Sequence, residues 1–253
     1  MNRKKINILN ILFDYVTKGR LLQILTKRIE ENKKTFLVTA NPEIVMHANT
    51  DPEYLKIVNG ADYVIADGIG VIIGSKIIEN PLPERIPGFD LMQDLLKIGN
   101  EKGWSAYFLG AKKEVIEKAI LNIKDNYPNL EIAGYHDGYF DWNENKIPEE
   151  IKQSKPDMVF VALGFPRQEK FIAENIPQFE KGLFIGVGGS FDVIAGAVKR
   201  APVIWQKLNL EWLYRLIKQP SRWRRMLALP AFIIRMFKMK FSNRKDYKKG
   251  TPS

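Results

Sequence analysis

The chain has 253 residues, of which 45% are hydrophobic, so it is long and apolar enough to bury a sizeable core. It contains no cysteine and two histidines, His47 and His136, which excludes a disulfide framework, thiol chemistry and a histidine-rich zinc site. The net charge of +10 is concentrated near the carboxyl end, where 15 basic residues face 2 acidic ones from Lys199 onward. Such asymmetry indicates an anionic partner, either a nucleic acid or an anionic membrane surface.

The amino-terminal stretch is basic and then apolar, but Asn7, Asn10 and Asp14 interrupt the apolar part and no small-residue cleavage site follows. We therefore do not interpret it as a signal peptide. No run of about 18 uncharged apolar residues occurs, so nothing is expected to span a bilayer. These features predict a cytoplasmic protein.

Six short runs rich in Val, Ile, Phe and Leu read as buried strands, because Gly, Pro, Asn or Asp bounds them. They cover residues 35–39, 63–66, 105–110, 130–135, 157–164 and 182–189. Amphipathic helical patterns lie between them, as at 112–127, where apolar residues recur on one face. Strands separated by helices, with little room for hairpins, predict an α/β fold with a mostly parallel, Rossmann-like sheet and helices on both faces.

The strand pattern stops after Gly196, and the chain then reads as helical to about residue 240. We therefore predict an α/β domain over residues 1–196 and a helical, basic appendage over residues 197–253.

Polar and glycine residues follow several of the predicted strands. Since ligands of open parallel sheets bind beyond the carboxyl ends of the strands, these residues are candidates for a site. Thr39 and Asn41 follow the first strand, Asp67 follows the second, and glycine-rich segments follow later ones. Glycines that lead into helices expose backbone N–H groups, which suits phosphate.

Each of these signals has a plainer interpretation. "GVGGSFD" is not a dinucleotide fingerprint, and no Walker loop occurs, so Gly186 and Gly188 could mark a close helix–strand contact. Asp67 could cap the following helix, and Arg85 could be a surface residue of a proline-rich loop.

The chain has no Asp-x-Asp pair for a divalent metal, so no metal and no cofactor is expected. Arginines, lysines and backbone dipoles would have to neutralise any diphosphate.

Five segments together resemble the WecG/TagA/CpsF glycosyltransferases of bacterial surface-polymer synthesis, and the similarity runs from about residue 35 to 230. They are "ADGIGVIIGSK", "PERIPGFDL", "VALGFPRQEKFI", "IGVGGSFDVIAGAVKRAP" and "LEWLYRLIKQPSRWRR". The resemblance implies inverting, metal-independent transfer of N-acetylmannosamine from its UDP donor to undecaprenyl-diphosphate-linked N-acetylglucosamine in wall teichoic acid synthesis.

The resemblance also implies roles for individual residues. Asp67 matches the catalytic base and Thr39 a neighbouring active-site residue, although Asp192 and Glu169 remain rival bases. The donor site is expected to include Asn41, Arg85, Gly164, Gln168, Gly186, Gly188 and Asp192. Arg215, Arg222 and Arg225 are expected at the lipid diphosphate, with Arg224 an alternative to its neighbour Arg225.

Residues 221–241 interleave Arg and Lys with apolar residues, a pattern typical of a membrane-surface helix. The apolar members are Trp223, Leu227, Phe232, Ile233, Met236 and Phe237. Pro230 leaves one helix or two short ones equally open. The apolar residues could instead pack on the body, and a nucleotide- or nucleic-acid-binding module with a basic arm is the alternative function.

We favour a UDP-sugar donor, a polyprenyl-diphosphate-linked acceptor and an anionic membrane surface as partners, with no nucleic acid. The protein would then be peripheral at the inner face of the cell membrane. Self-association into a homo-oligomer is left open.

Overall fold

The computed structural model describes residues 3–142, 146–220, 223 and 227–249. A six-stranded sheet forms its centre, with strands in the spatial order β4-β3-β8-β7-β5-β6 and every neighbouring pair parallel. Its strands are β3 (Thr35–Ala40), β4 (Tyr63–Ala66), β5 (Ser105–Gly110), β6 (Glu131–His136), β7 (Met158–Ala162) and β8 (Leu183–Gly186). The predicted parallel α/β fold is therefore confirmed, and each strand lies within two residues of its predicted bounds at its start and three at its end.

Helices surround this sheet. They are α1 (Lys18–Glu30), α2 (Pro42–Ala48), α3 (Pro52–Gly60), α4 (Ile69–Ile77), α5 (Gly88–Lys102), α6 (Lys113–Asn126), α7 (Ile147–Ser154), α8 (Arg167–Asn175), α9 (Ser190–Ile194), α10 (Val203–Lys207), α11 (Glu211–Lys218) and α12 (Ala228–Lys249). A short 3₁₀ turn, Ile176–Gln178, follows α8.

Two apolar clusters cover the two faces of the sheet. Along β7, Val159 and Val161 belong to one cluster, whereas Met158 and Phe160 belong to the other. This alternation follows from the two-residue period of a strand. It explains why the strand sequences are apolar throughout, since both of their faces are covered.

A hairpin precedes the sheet, in a stretch for which no strand is predicted from the sequence. Its strands are β1 (Lys5–Ile8) and β2 (Ile11–Asp14), which pair antiparallel around a turn where Leu9 and Asn10 adopt positive φ angles of 47° and 65°. Ile6, Ile8, Ile11 and Phe13 are buried, whereas Asn7 and Leu12 are exposed. The period-2 pattern was present in the sequence, and the asparagines that interrupt the apolar run mark the turn and the outer face.

The carboxyl-terminal part is helical, as predicted, and α12 packs against α2 and α4. Pro230 lies in the first turn of α12, where its missing N–H is tolerated, so one helix continues past it. Phe232 and Met236, which we expected at a membrane, are instead fully buried in the cluster that contains the hairpin. Trp223, Leu227 and Phe237 are about half exposed. Within the described residues, no helix is both long and apolar enough to cross a membrane.

Candidate active site

A cleft of about 310 Å³ opens at the carboxyl ends of β3, β4, β7 and β8. These four strands are neighbours in the sheet, so the segments that follow them meet at one edge. The loop before α5, helix α11 and the start of α12 complete the walls. The position agrees with the rule that open α/β sheets bind ligands beyond their strand ends.

Thr39 and Asn41 line the cleft from the end of β3. The Thr39 hydroxyl donates a hydrogen bond to the carbonyl of Gly186 at 3.3 Å, which ties β3 to β8 at the cleft. Asn41 is the N-cap of α2, and its Oδ1 accepts a hydrogen bond from the N–H of Ile44 at 3.0 Å. Asn41 therefore fixes the start of α2 in addition to lining the cleft.

Asp67 follows β4 and lines the cleft with part of its surface exposed. It does not cap the helix that follows it, because Gly68 is the N-cap of α4 and no side chain bonds there. Its Oδ1 instead accepts a hydrogen bond from the N–H of Gly88, the first residue of α5, at 3.3 Å. Asp67 thus lies at the amino end of a 15-residue helix, where negative charge is favoured.

The surroundings of the Asp67 carboxyl both raise and lower its pKa. Burial raises its pKa above the usual range, while the guanidinium groups of Arg85 and Arg215 and the Gly88 hydrogen bond lower it. The charge of Glu211 raises it further, and the net direction is upward. A raised pKa makes the carboxylate a stronger base, which suits removal of a proton from a hydroxyl group.

Arg85 is not a surface residue of its loop, since its side chain is 15% exposed and lines the cleft. Its guanidinium donates hydrogen bonds to Asn209 Oδ1 at 3.4 Å and to Glu211 Oε2 at 3.3 Å. Arg215 donates to the other oxygen of Glu211 at 2.9 Å. The structure therefore brings these two predicted arginines together through a glutamate that the sequence analysis did not single out.

Gly186, the last residue of β8, makes the close helix–strand contact that was the plainer interpretation, whereas a β-carbon on Gly188 would meet no atom within 4 Å; both glycines line the cleft. A β-carbon on Gly186 would lie 2.5 Å from Gln168 Nε2, so a larger residue there would require the Gln168 side chain to move. Gln168 is buried and accepts a hydrogen bond from the N–H of Gly188 at 3.0 Å. Gly164 precedes α8 with a φ of 75°, a conformation that favours glycine, and lines the same cleft.

The rival bases lie elsewhere. Glu169 is 2% exposed and does not line the cleft, and it accepts a hydrogen bond from Gln168 Nε2 at 2.7 Å. Burial raises the pKa of Glu169 to about 6. Asp192 lies on α9 and does not line the cleft, although its Oδ2 would lie 3.7 Å from a β-carbon on Gly189, which does. Of the three carboxylates left open by the sequence, Asp67 alone lines the cleft.

Arg222, Arg224 and Arg225 lie outside the described residues. Arg200, in contrast, lines the cleft although the sequence analysis assigned it no role. Its Nη1 pairs with Asp90 Oδ1 at 2.6 Å, and its guanidinium lies 4.8 Å from the centroid of the Phe89 ring. The sequence feature that could have indicated this role is its position in "VKRAP", directly after the glycine-rich segment. In the described residues, no group of three His, Asp or Glu side chains is arranged to hold a metal ion.

Comparison with known proteins identifies relatives along nearly the whole chain. The model of the family described as "Glycosyl transferase WecG/TagA/CpsF family" matches residues 6–246. An N-acetylglucosaminyldiphosphoundecaprenol N-acetyl-beta-D-mannosaminyltransferase of Bacillus spizizenii is 42% identical over 250 residues, which cover 99% of this chain and 96% of that protein. A protein of the same name from Staphylococcus aureus strain MW2 is 42% identical over 242 residues, 94% of each chain.

Proposed function

This chain belongs to the WecG/TagA/CpsF family of glycosyltransferases, and from that premise we propose that it transfers N-acetylmannosamine from UDP-N-acetylmannosamine to undecaprenyl-diphosphate-linked N-acetylglucosamine. The product would be the β-linked disaccharide of a wall teichoic acid linkage unit. The resemblance predicted from sequence segments is confirmed, and the chain is a glycosyltransferase. Both relatives named above carry the proposed donor sugar and acceptor in their names.

The observation that carries the proposal is the position of Asp67 among cationic groups in the cleft. The Asp67 carboxylate is partly exposed in the cleft near Arg85 and Arg215, and the N–H of Gly88 orients it by a hydrogen bond. An inverting transfer requires one base, and needs no second carboxylate for a covalent intermediate. The arrangement therefore supplies the groups that one displacement needs.

In that displacement, the acceptor hydroxyl oxygen attacks the anomeric carbon from the face opposite UDP. Asp67 takes the hydroxyl proton as the new C–O bond forms. The bond from the anomeric carbon to the phosphate oxygen breaks, and its electron pair leaves with UDP. Negative charge therefore grows on the diphosphate as the sugar departs.

Groups that suit this growing charge line the same cleft. Arg85 and Arg215 carry permanent positive charge, and the segment at Gly186 and Gly188 brings backbone close to the cleft. Such preorganised donors stabilise charge that develops in a transition state. Thr39, bonded to Gly186, holds the two sides of the cleft floor together.

We propose further that residues 197–253 bring the site to the inner face of the cell membrane, where a polyprenyl acceptor is anchored. Between Val203 and Phe241, nine large apolar side chains of the described part are 46–64% exposed. On α12, the exposed Ile234 and Phe237 alternate with the exposed Arg235 and Lys238, as in helices that lie at a lipid surface. Residues 1–196 would bind the donor, and the appendage would complete the site.

The test is transfer by the purified full-length chain to N-acetylglucosamine on a short, water-soluble polyprenyl diphosphate. UDP-N-acetylmannosamine should give a β-linked disaccharide, identified by mass spectrometry and by its anomeric NMR coupling. UDP-N-acetylglucosamine and UDP-glucose serve as competing donors, and Asp67→Asn is the matched inactive control. Transfer from another UDP-sugar but not from UDP-N-acetylmannosamine would refute the assignment of the donor.

A further inference from the structure

Glu211 is the common partner of three arginines that line the cleft. It is the first residue of α11, and it is 7% exposed. Arg215 Nη2 lies 2.9 Å from Glu211 Oε1, Arg85 Nη2 lies 3.3 Å from Oε2, and Arg200 Nε lies 3.6 Å from Oε1. The arginine cluster, defined as Arg85, Arg200, Arg215 and Glu211, is thus centred on one carboxylate.

The three arginines come from separate segments of the chain. Arg85 lies in the loop before α5, Arg200 lies between α9 and α10, and Arg215 lies one turn along α11 from Glu211. No local hydrogen bond of a helix or strand would hold three such segments at one point. A shared carboxylate does so, because Glu211 accepts hydrogen bonds from Arg85 and Arg215 and attracts the charge of Arg200 across 3.6 Å.

The electrostatics of the cluster give Glu211 a second effect. Three guanidinium groups repel one another when they are brought together in a partly buried site, and a carboxylate between them offsets that repulsion. Asp90 also pairs with Arg200, so Arg200 is held from two sides. Each guanidinium has five N–H donors, and the contacts to Glu211, Asp90 and Asn209 use a minority of them.

We propose that Glu211 is a positioning residue that holds Arg85, Arg200 and Arg215 together for a diphosphate, and that Arg200 is the third arginine of that diphosphate site. The inference rests on the proposed function, because it assigns cluster residues to the substrates of that transfer. Both the UDP donor and the lipid-linked acceptor contain a diphosphate. The chemistry recognised is the same for both, and separate arms of the test distinguish them.

The experiment compares the full-length wild-type chain with Glu211→Gln and Arg200→Gln. Calorimetric titration with UDP reports the donor diphosphate, and the KM for the short-chain acceptor at saturating donor reports the acceptor diphosphate. We expect each variant to weaken either UDP binding or acceptor binding by roughly 10- to 100-fold. This is the usual effect of losing or misplacing a charge-assisted hydrogen bond. Changes within about twofold of wild type in both arms would overturn the proposal.

The pH dependence of kcat/KM separates positioning from simple charge compensation in Glu211→Gln. Arg85 and Arg215 lower the pKa of Asp67, whereas Glu211 raises it by a smaller effect. If Glu211 holds the arginines in place, its loss releases them, and the acid limb of the profile moves to higher pH. If Glu211 acts through its charge alone, the limb moves to lower pH, which would refute the positioning role.

Asp157→Asn is the matched control. Asp157 is also a partly buried carboxylate paired with a cation, Lys181 at 2.7 Å, but it bonds Ser105 at the opposite end of the sheet from the cleft. Thermal unfolding of all variants shows whether Glu211→Gln folds, and Arg200→Gln tests the proposal separately if it does not. UDP titration needs no turnover, so a wrong donor assignment would leave this result interpretable.

Discussion

The contact between α12 and α4 predicts that Gly74→Ala lowers the stability of the wild-type chain but raises the stability of the Phe232→Ala variant. The ring of Phe232, which is fully buried, lies against Gly74. A β-carbon at position 74 would lie 2.7 and 2.8 Å from two atoms of that ring and 3.1 Å from Met236 Cγ. Gly74 therefore allows α12 to approach α4 more closely than any other residue would.

Phe232→Ala should leave a cavity and lower the free energy of unfolding by about 3–5 kcal/mol, the usual cost of removing a buried phenylalanine ring. For a chain of this length, that corresponds to a fall in Tm on the order of 10 °C. Transfer activity should fall as well, because Leu229 of the same helix lines the cleft.

Gly74→Ala should destabilise the wild-type chain by about 1–2 kcal/mol. Alanine improves helix propensity by about 0.5–1 kcal/mol, but overpacking against Phe232 costs about 1–3 kcal/mol. In the Phe232→Ala background the ring is absent, so the same methyl group fills part of the cavity. There, Gly74→Ala should stabilise the chain by about 1 kcal/mol.

Urea unfolding of the four chains, followed by tryptophan fluorescence, measures this cycle. The sign of the Gly74→Ala effect should differ between the two backgrounds. An equal effect in both, or a cost below about 1 kcal/mol for Phe232→Ala, would show that α12 does not pack on α4 in this way.

Four further outcomes are expected. Asp67→Asn should lower turnover by roughly 10²- to 10⁴-fold and leave UDP affinity nearly unchanged, and near-normal turnover in stopped assays would exclude Asp67 as the base. Activity should survive EDTA treatment and assay in metal-free buffer; a loss that Mg²⁺ or Mn²⁺ restores would reveal a metal site. Gly186→Ala should displace the Gln168 side chain, because its Nε2 would lie 2.5 Å from the new β-carbon. UDP affinity, measured by calorimetry, should fall as a result, and an unchanged affinity would show that the contact between Gly186 and Gln168 does not contribute to the donor site. Burial raises the pKa of Glu169 from its usual 4.5 to about 6, so the folded chain binds this proton more tightly and loses stability as the pH rises through that window. Glu169→Gln should therefore be more stable than wild type by about 2 kcal/mol in urea unfolding at pH 7.5 and equal to it near pH 4, and a constant difference at both pH values would contradict this assignment.

The sequence by itself determined the strands, most helix-forming segments and the edge of the sheet at which a site forms. A strand buried on both faces must be apolar throughout and must end at turn residues, and both properties are local. Because the strands are parallel, their carboxyl ends share one edge, so Thr39 and Asp67 could be placed together before their geometry was known. The hairpin is equally local, because its residues alternate between buried and exposed positions around Asn10, but a basic stretch followed by an apolar one is also the pattern of a targeting segment.

Tertiary structure alone decided which residues meet across the cleft. The order of strands depends on pairings between residues far apart in the chain, and local periodicity contains no information on those pairings. An arginine in a loop has the same local sequence whether it faces solvent or a buried glutamate, so neither the burial of Arg85 nor its link through Glu211 to Arg200 could be predicted. Phe232 illustrates the same point on α12: its helical pattern fits a lipid surface or a protein core equally well, and Gly74, 158 positions earlier, decides between them by leaving room for its ring.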